Sequence, residues 1–110
     1  MEDFVPVELE VDRYHNKGVG YLNAREWEKA IEMFKKEIDC DPEGCISYWF
    51  LAKTLRKMDR EEEARKYYNI ALEKAEKMRS LGPDMIDIEM IDAIRKDSDS
   101  LGSKKDSACT

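Results

Sequence analysis

Few side chains in this sequence could build a histidine-based or cysteine-based metal site or nucleophile. His15 is the only histidine, and the three cysteines, Cys40, Cys45 and Cys109, do not have the spacing of a metal site. A catalytic base also needs a partner that orients it, and the sequence suggests no such arrangement. We therefore expect no enzyme activity, no cofactor and no metal, and we expect reduced thiols in a reducing compartment.

The chemistry that the sequence favours instead is recognition by aromatic side chains. Trp49 follows Tyr48, and two adjacent residues of a helix cannot point in the same direction. If Tyr48 packs in the core, Trp49 and Phe50 face either a binding groove or a covering helix. In the first case Trp49 would anchor a bound segment. In the second case a further helix would hide this apolar surface.

Three basic residues follow these aromatic ones, and we refer to Lys53, Arg56 and Lys57 as the basic strip. Residues 45–78 carry 8 basic and 6 acidic side chains, whereas residues 11–44 carry 6 basic and 8 acidic ones. The strip could bind an acidic peptide or a C-terminal carboxylate. It could instead be a solvated face that pairs with acidic neighbours, or a surface for self-association with the acidic N-terminal residues.

The composition favours an elongated helical protein. The chain has 110 residues, of which 42% are hydrophobic and 40% are charged, with a net charge of −6. This length allows one domain, and the hydrophobic content is sufficient for a core. So many charges need a large surface, and only 5 Gly and 3 Pro leave few turns for a protein of short strands.

The same composition excludes several functional classes. The acidic balance disfavours nucleic-acid binding, which depends on lysine and arginine side chains that meet phosphates. No apolar run approaches the roughly 18 residues of a membrane span, and the first residues lack the basic region of a secretory signal. We therefore expect a cytoplasmic protein that binds neither nucleic acid nor a membrane.

An internal repeat organises the chain, and we place repeat 1 at residues 11–44 and repeat 2 at residues 45–78. The repeat period is about 34 residues, so each copy is long enough for two helices and a short turn. We call the shift that superimposes repeat 1 on repeat 2 the repeat offset. It aligns Tyr14 with Tyr48, Gly18 with Ala52, Tyr21 with Leu55, Ala30 with Ala64, Phe34 with Tyr68, and Ile38 with Leu72.

Apolar spacings of three and four residues predict the helices within and after these copies. Trp27 is in phase with the apolar stripe of the second helix, so we expect it in the core. Asp59 is the expected N-cap of the fourth helix, and Gly82 is expected to end that helix in a left-handed conformation. Pro83 then starts a capping helix over about 83–96. The single domain spans 1–96, and residues 97–110, which are rich in serine, aspartate and lysine, form a disordered tail.

The aligned residues resemble the tetratricopeptide repeat (TPR) family. There, a small residue in the first helix lets the two helices approach, and an alanine followed four residues later by an aromatic residue marks the second. Pro42 matches the closing proline of the first copy, whereas Glu37 stands where the family favours alanine and Glu76 replaces the second closing proline. The other matches are Gly18 and Ala52 for the small residue, and Ala30–Phe34 and Ala64–Tyr68 for the pair.

The resemblance implies an all-α fold, a short right-handed α–α superhelix of TPR helical hairpins with about five helices. It also implies a protein–protein interaction module that binds a peptide or partner protein in its concave groove, and with the basic strip we expect an acidic peptide. By match to the family pattern, the groove residues are His15, Asn16, Val19, Asn23, Trp49, Phe50, Lys53, Arg56 and Lys57.

Two other functions remain open. The chain could be a structural module that forms homodimers or larger homo-oligomers through the capping helix and the exposed repeat faces. It could also be an RNA binder of the related pentatricopeptide type. The repeat period, which is slightly shorter than that of the pentatricopeptide family, and the negative charge make this the weakest hypothesis.

Overall fold

The computed structural model describes the backbone of residues 7–82, 84 and 86–109, and the side chains of residues 10–82, 84 and 86–101. Within these ranges the chain forms five α-helices and no strand, so the prediction of an all-α fold is confirmed. Pro83 and the side chain of Cys109 lie outside the described residues, as do the side chains of Glu2, Asp3 and Glu8. The helices are α1 (Val7–Asn23), α2 (Trp27–Cys40), α3 (Cys45–Lys57), α4 (Glu61–Leu81) and α5 (Ile88–Cys109).

The helices pack on one another in chain order. α1 packs on α2, α2 on α3, α3 on α4, and α4 on α5. The connections within the two hairpins are short, which is typical of antiparallel neighbours. The molecule measures 63 × 35 × 17 Å, so it is elongated and flat. This shape provides the surface that the many charged side chains require.

The turns of the two hairpins have the same conformation. Arg25 lies in the α1–α2 turn with φ at 64°, and Asp59 lies in the α3–α4 turn with φ at 62°. Both are in the left-handed region, which non-glycine residues seldom adopt. The prediction that Asp59 caps α4 is wrong, because Arg60 occupies the N-cap position and no side chain caps the helix.

Backbone hydrogen bonds repeat with the same offset as the sequence. Each bond of the first turn has a counterpart in the second turn that joins the aligned donor and acceptor. The structural period therefore equals the sequence period across both turns. The paired bonds are Glu26 N–H to Tyr21 O (2.8 Å) with Arg60 to Leu55 (3.0 Å), Arg25 to Leu22 (3.1 Å) with Asp59 to Arg56 (3.0 Å), and Ala24 to Gly20 (3.0 Å) with Met58 to Thr54 (3.3 Å).

A close crossing of two helices forms the centre of the first hairpin. Phe34 of α2 is fully buried, and a Cβ atom built on Gly18 of α1 would lie 2.5 Å from its Cε1 atom. Only a residue without a side chain fits there. In the second hairpin the aligned residues Ala52 and Tyr68 are also fully buried.

α5 differs from the predicted capping helix in its start and its length. It begins at Ile88 and continues to Cys109, through the segment expected to be disordered. That expectation rested on polar composition, yet Leu101 is fully buried. Leu101 follows Ile94 by two helical turns, so it prolongs the apolar stripe that packs on the core. The predicted left-handed Gly82 is wrong, because its φ of 170° is extended backbone.

We predict opposite effects for two alanine substitutions in α1. Gly18→Ala should destabilise the protein by about 1–3 kcal/mol, because the new methyl group overlaps the Phe34 ring. Gly20→Ala should stabilise it by about 0.5–1 kcal/mol, because no atom lies within 4 Å of the added Cβ and alanine favours a helix. Urea unfolding measures both changes. Equal effects of the two substitutions would contradict the crossing described here.

Candidate functional site

A cleft of about 750 Å³ lies beside α3. Its walls come from the α1–α2 turn and its flanks, from the C-terminal half of α3, from α4 and from α5. We call it the basic cleft. Its lining residues are Leu22, Asn23, Arg25, Trp27, Lys53, Arg56, Lys57, Glu61, Tyr68 and Asp97.

The whole basic strip lines this cleft. Lys53, Arg56 and Lys57 have the spacings of three and four residues that place side chains on one face of a helix. Arg25 adds a fourth cation from the α1–α2 turn, because its left-handed backbone reverses the chain at that point. Cations from two separate elements therefore meet in one concave surface.

The aromatic residues of α3 hold one of these cations in place. The Lys53 ammonium lies 4.4 Å from the centre of the Trp49 ring and 4.8 Å from that of Phe50. Such cation–π contacts attract the ammonium to the ring faces. The two rings are themselves in edge contact, with centroids 5.7 Å apart. Lys53 thus connects the basic cleft with the aromatic face of α3.

Trp49 holds α5 against α3. Its indole N–H donates a hydrogen bond of 2.9 Å to Asp97, and Arg56 donates one of 3.1 Å to the Ser100 hydroxyl. Trp49 is half-buried and packs against the hydrophobic core. These contacts favour the covering-helix interpretation of Trp49 over that of an open anchor for a ligand.

The His15 ring of α1 contacts residues of both α2 and α3. Its ring makes an edge contact with Phe50, with centroids 4.8 Å apart. Its Nδ1 lies 3.2 Å from Oε1 of Glu37, a residue of α2 that is only 5% exposed. This contact explains the departure at Glu37 from the alanine of the TPR pattern, because His15 supplies the buried carboxylate with a partner.

The hydroxyl of Tyr68 is buried and has no hydrogen-bond acceptor among the described residues. Burial raises the pKa of Tyr68, and the Asp97 carboxylate adds to this effect. The Arg56 guanidinium, which lies close enough to donate towards the hydroxyl, lowers the pKa. The hydroxyl therefore stays protonated at neutral pH and can act as a hydrogen-bond donor.

The structure divides the predicted groove residues into three groups. Asn23 lines the basic cleft together with the basic strip. Trp49, Phe50 and His15 form a separate chain of ring contacts. The two remaining residues do not line the cleft: Asn16 is exposed, and Val19 packs against the core.

Comparison with known proteins adds no family assignment. The search against protein-family models gives no match for this chain, and the search of curated proteins gives none either. The candidate site therefore rests on its own geometry.

Sequence reasoning missed six residues of the basic cleft, which are Leu22, Arg25, Trp27, Glu61, Tyr68 and Asp97. Trp27 was assigned wholly to the core, although it is half-buried and lines the cleft. One difference between the repeats could have indicated Tyr68. Phe34 occupies the aligned core position without a hydroxyl, so the added polar atom at Tyr68 needs an explanation.

A second, smaller pocket of about 380 Å³ is lined by acidic side chains, whereas the basic cleft is lined mainly by basic ones. No lysine, arginine or histidine is among its described lining residues. Burial, and to a lesser degree Asp41, raise the pKa of the Cys45 thiol there, so this free cysteine is protonated at neutral pH. We call it the acidic pocket. It is lined by Val11, Glu37, Asp41, Gly44, Cys45, Ile46, Ser47, Met78, Asp84, Ile86, Asp87 and Met90.

Among the described residues, no group of three or more histidine, cysteine, aspartate or glutamate side chains is arranged to hold a metal ion. None of the helices in that part of the chain combines the length and the apolar character needed to cross a membrane.

We predict strong coupling between His15 and Glu37. His15→Phe keeps a ring against Phe50 but removes the partner of the buried Glu37 carboxylate, so it should cost about 1–3 kcal/mol of stability. In a Glu37→Ala background the same substitution should cost little. A double-mutant cycle in urea measures this coupling. Additive effects would show that the contact does not satisfy Glu37.

Proposed function

We propose that this protein is a protein–protein interaction module that binds an acidic peptide segment of a partner in the basic cleft. The observation that carries this proposal is the convergence of Arg25 with the basic strip in one concave surface. A single basic helix face is common on protein surfaces, but cations from two elements that surround a cleft can contact one ligand from several sides.

The TPR-type architecture is part of the same proposal. The equal turns, the hydrogen bonds paired at the repeat offset and the small residues at the buried crossing support it. A TPR array is a right-handed superhelix that binds peptides in a concave groove, which comes mainly from the first helix of each repeat. The basic cleft agrees with this arrangement, because it lies beside α3, the first helix of the second hairpin. The free thiols of Cys40 and Cys45 are consistent with a cytoplasmic location.

The test is binding of a fluorescently labelled peptide of alternating glutamate and glycine, followed by anisotropy. Lys57→Glu should weaken binding about tenfold, because it replaces an attraction with a repulsion. Lys57 is exposed and has no hydrogen bond or ion pair within the described part of the chain, so its substitution should not disturb the fold. Added salt should also weaken binding.

A control variant has the same change in charge away from the cleft. Lys66→Glu alters an exposed residue of α4 that does not line the basic cleft. This variant should bind the peptide nearly as well as the natural chain. Equal losses for Lys57→Glu and Lys66→Glu would contradict the proposal, because they would indicate a general effect of net charge.

Self-association is a second candidate function. Leu81 is 71% exposed and Ile88 is 51% exposed, and they flank the connection between α4 and α5. Two large apolar side chains at one end of a short helical array could form a contact between two copies of the chain.

We predict that this contact, if it forms, depends on Leu81. Sedimentation equilibrium at tens of micromolar protein would then give a dimer for the natural chain and a monomer for Leu81→Asp. A monomer for the natural chain would exclude this function at such concentrations. It would leave the proposed peptide binding unaffected.

A further inference from the structure

The buried hydroxyl of Tyr68 is not required by the fold. Tyr68 is fully buried and contributes to the wall of the basic cleft. Its hydroxyl lies near the Arg56 guanidinium, which can only donate, and has no acceptor for its own proton among the described residues. A buried polar group without a hydrogen bond is destabilising. Phe34 fills the aligned position of the first repeat, where it is equally buried without a hydroxyl. The hydroxyl of Tyr68 therefore gains an acceptor only if a ligand penetrates the cleft wall as far as the hydroxyl.

The side chains around this hydroxyl are mostly hydrogen-bond donors. Arg56 and Lys57 of α3, Arg25 of the α1–α2 turn and the Asn23 amide line the same cleft. A guanidinium or an ammonium group has no acceptor, so a ligand that contacts several of these groups must itself be rich in acceptors. The donors come from three different elements, and they therefore approach such a ligand from different directions.

The charges of the cleft match a dianion. Four basic and two acidic side chains line it, which gives a formal charge of +2. The Asp97 carboxylate is already engaged, because it accepts the hydrogen bond from Trp49. A phosphoryl group on a side chain carries a charge close to −2 and has three acceptor oxygens. A carboxylate has one charge and two coplanar oxygens, so it would use fewer of these donors.

We propose that the basic cleft binds the phosphoryl group of a phosphorylated protein segment, with the Tyr68 hydroxyl as the buried donor and Arg56 as the principal cation. This inference rests on the proposed function, because it names the chemical class of the segment that the module recognises. Tyr68 then distinguishes the phosphoryl group from the carboxylates of an ordinary acidic segment.

The experiment compares three synthetic peptides by calorimetric titration into the full chain. The peptides are identical except for the central residue, which is phosphoserine, glutamate or serine. We expect the phosphoserine peptide to bind at least about tenfold more tightly than the glutamate peptide, and the serine peptide to bind most weakly. A single-stranded RNA oligonucleotide is titrated in parallel, because its phosphates could meet the same cations.

Two variants test the role of the hydroxyl. Tyr68→Phe should lower the affinity for the phosphoserine peptide about tenfold, the loss expected when a hydrogen bond to a charged group is removed. Its thermal unfolding midpoint should change little, because the hydroxyl has no acceptor among the described residues and loses only its interaction with the Arg56 guanidinium. Tyr67→Phe is the control: Tyr67 is adjacent, stacks on Tyr48 and does not line the basic cleft. It should leave the affinity unchanged.

The outcomes separate this inference from the proposed function. Equal affinity for the phosphoserine and glutamate peptides would overturn the inference and leave acidic-peptide binding intact. No binding of either peptide above that of the serine peptide would overturn both. The inference would also fail if RNA bound more tightly than the phosphoserine peptide, or if Tyr68→Phe kept full affinity for it.

Discussion

The close approach of paired helices is the constraint on which the rest of this structure depends. In the first hairpin Phe34 of α2 reaches the backbone of α1 because Gly18 has no side chain. Ala52 and Tyr68 are the buried residues at the aligned positions of the second hairpin. The turns enforce the same geometry, since Arg25 and Asp59 adopt left-handed conformations at aligned positions of the two repeats. Two hairpins with matching turns then stack, and their stacking fixes where α3 lies between α2 and α4.

The position of α3 determines the chemistry of the surface. One side of this helix carries Trp49, whose indole N–H donates a hydrogen bond to Asp97 of α5. The adjacent side carries the basic strip, which faces the α1–α2 turn across the basic cleft. The left-handed turn of the first hairpin thus also places Arg25 in the wall of the cleft. α5 completes the wall, so the helix that covers the end of the array also borders the proposed binding site.

The helices and the repeat could be predicted from the sequence because both depend on local spacing of apolar and small residues. Gly18 and Phe34 were identifiable in this way, and so was the basic strip. The continuation of α5 past Asp97 was missed because the composition of this segment is polar. Burial of Leu101 stabilises the helix there, and that burial depends on a core formed by other parts of the chain. The basic cleft was predicted in part, since a stripe on one helix is visible in sequence. The cleft residues on the other elements come together only when the two hairpins stack, which the sequence pattern does not show.

The central claim is that an anionic segment binds in the basic cleft, and chemical-shift mapping tests it most directly. The ¹⁵N-labelled full chain is titrated with an acidic peptide, and backbone amide shifts are followed by nuclear magnetic resonance. The account predicts the largest changes at residues 23–27, 53–57 and 68, which line the cleft or lie beside its lining residues. Changes confined to residues 41–47 and 86–90, around the acidic pocket, would contradict it, and so would the absence of any change at a large excess of peptide.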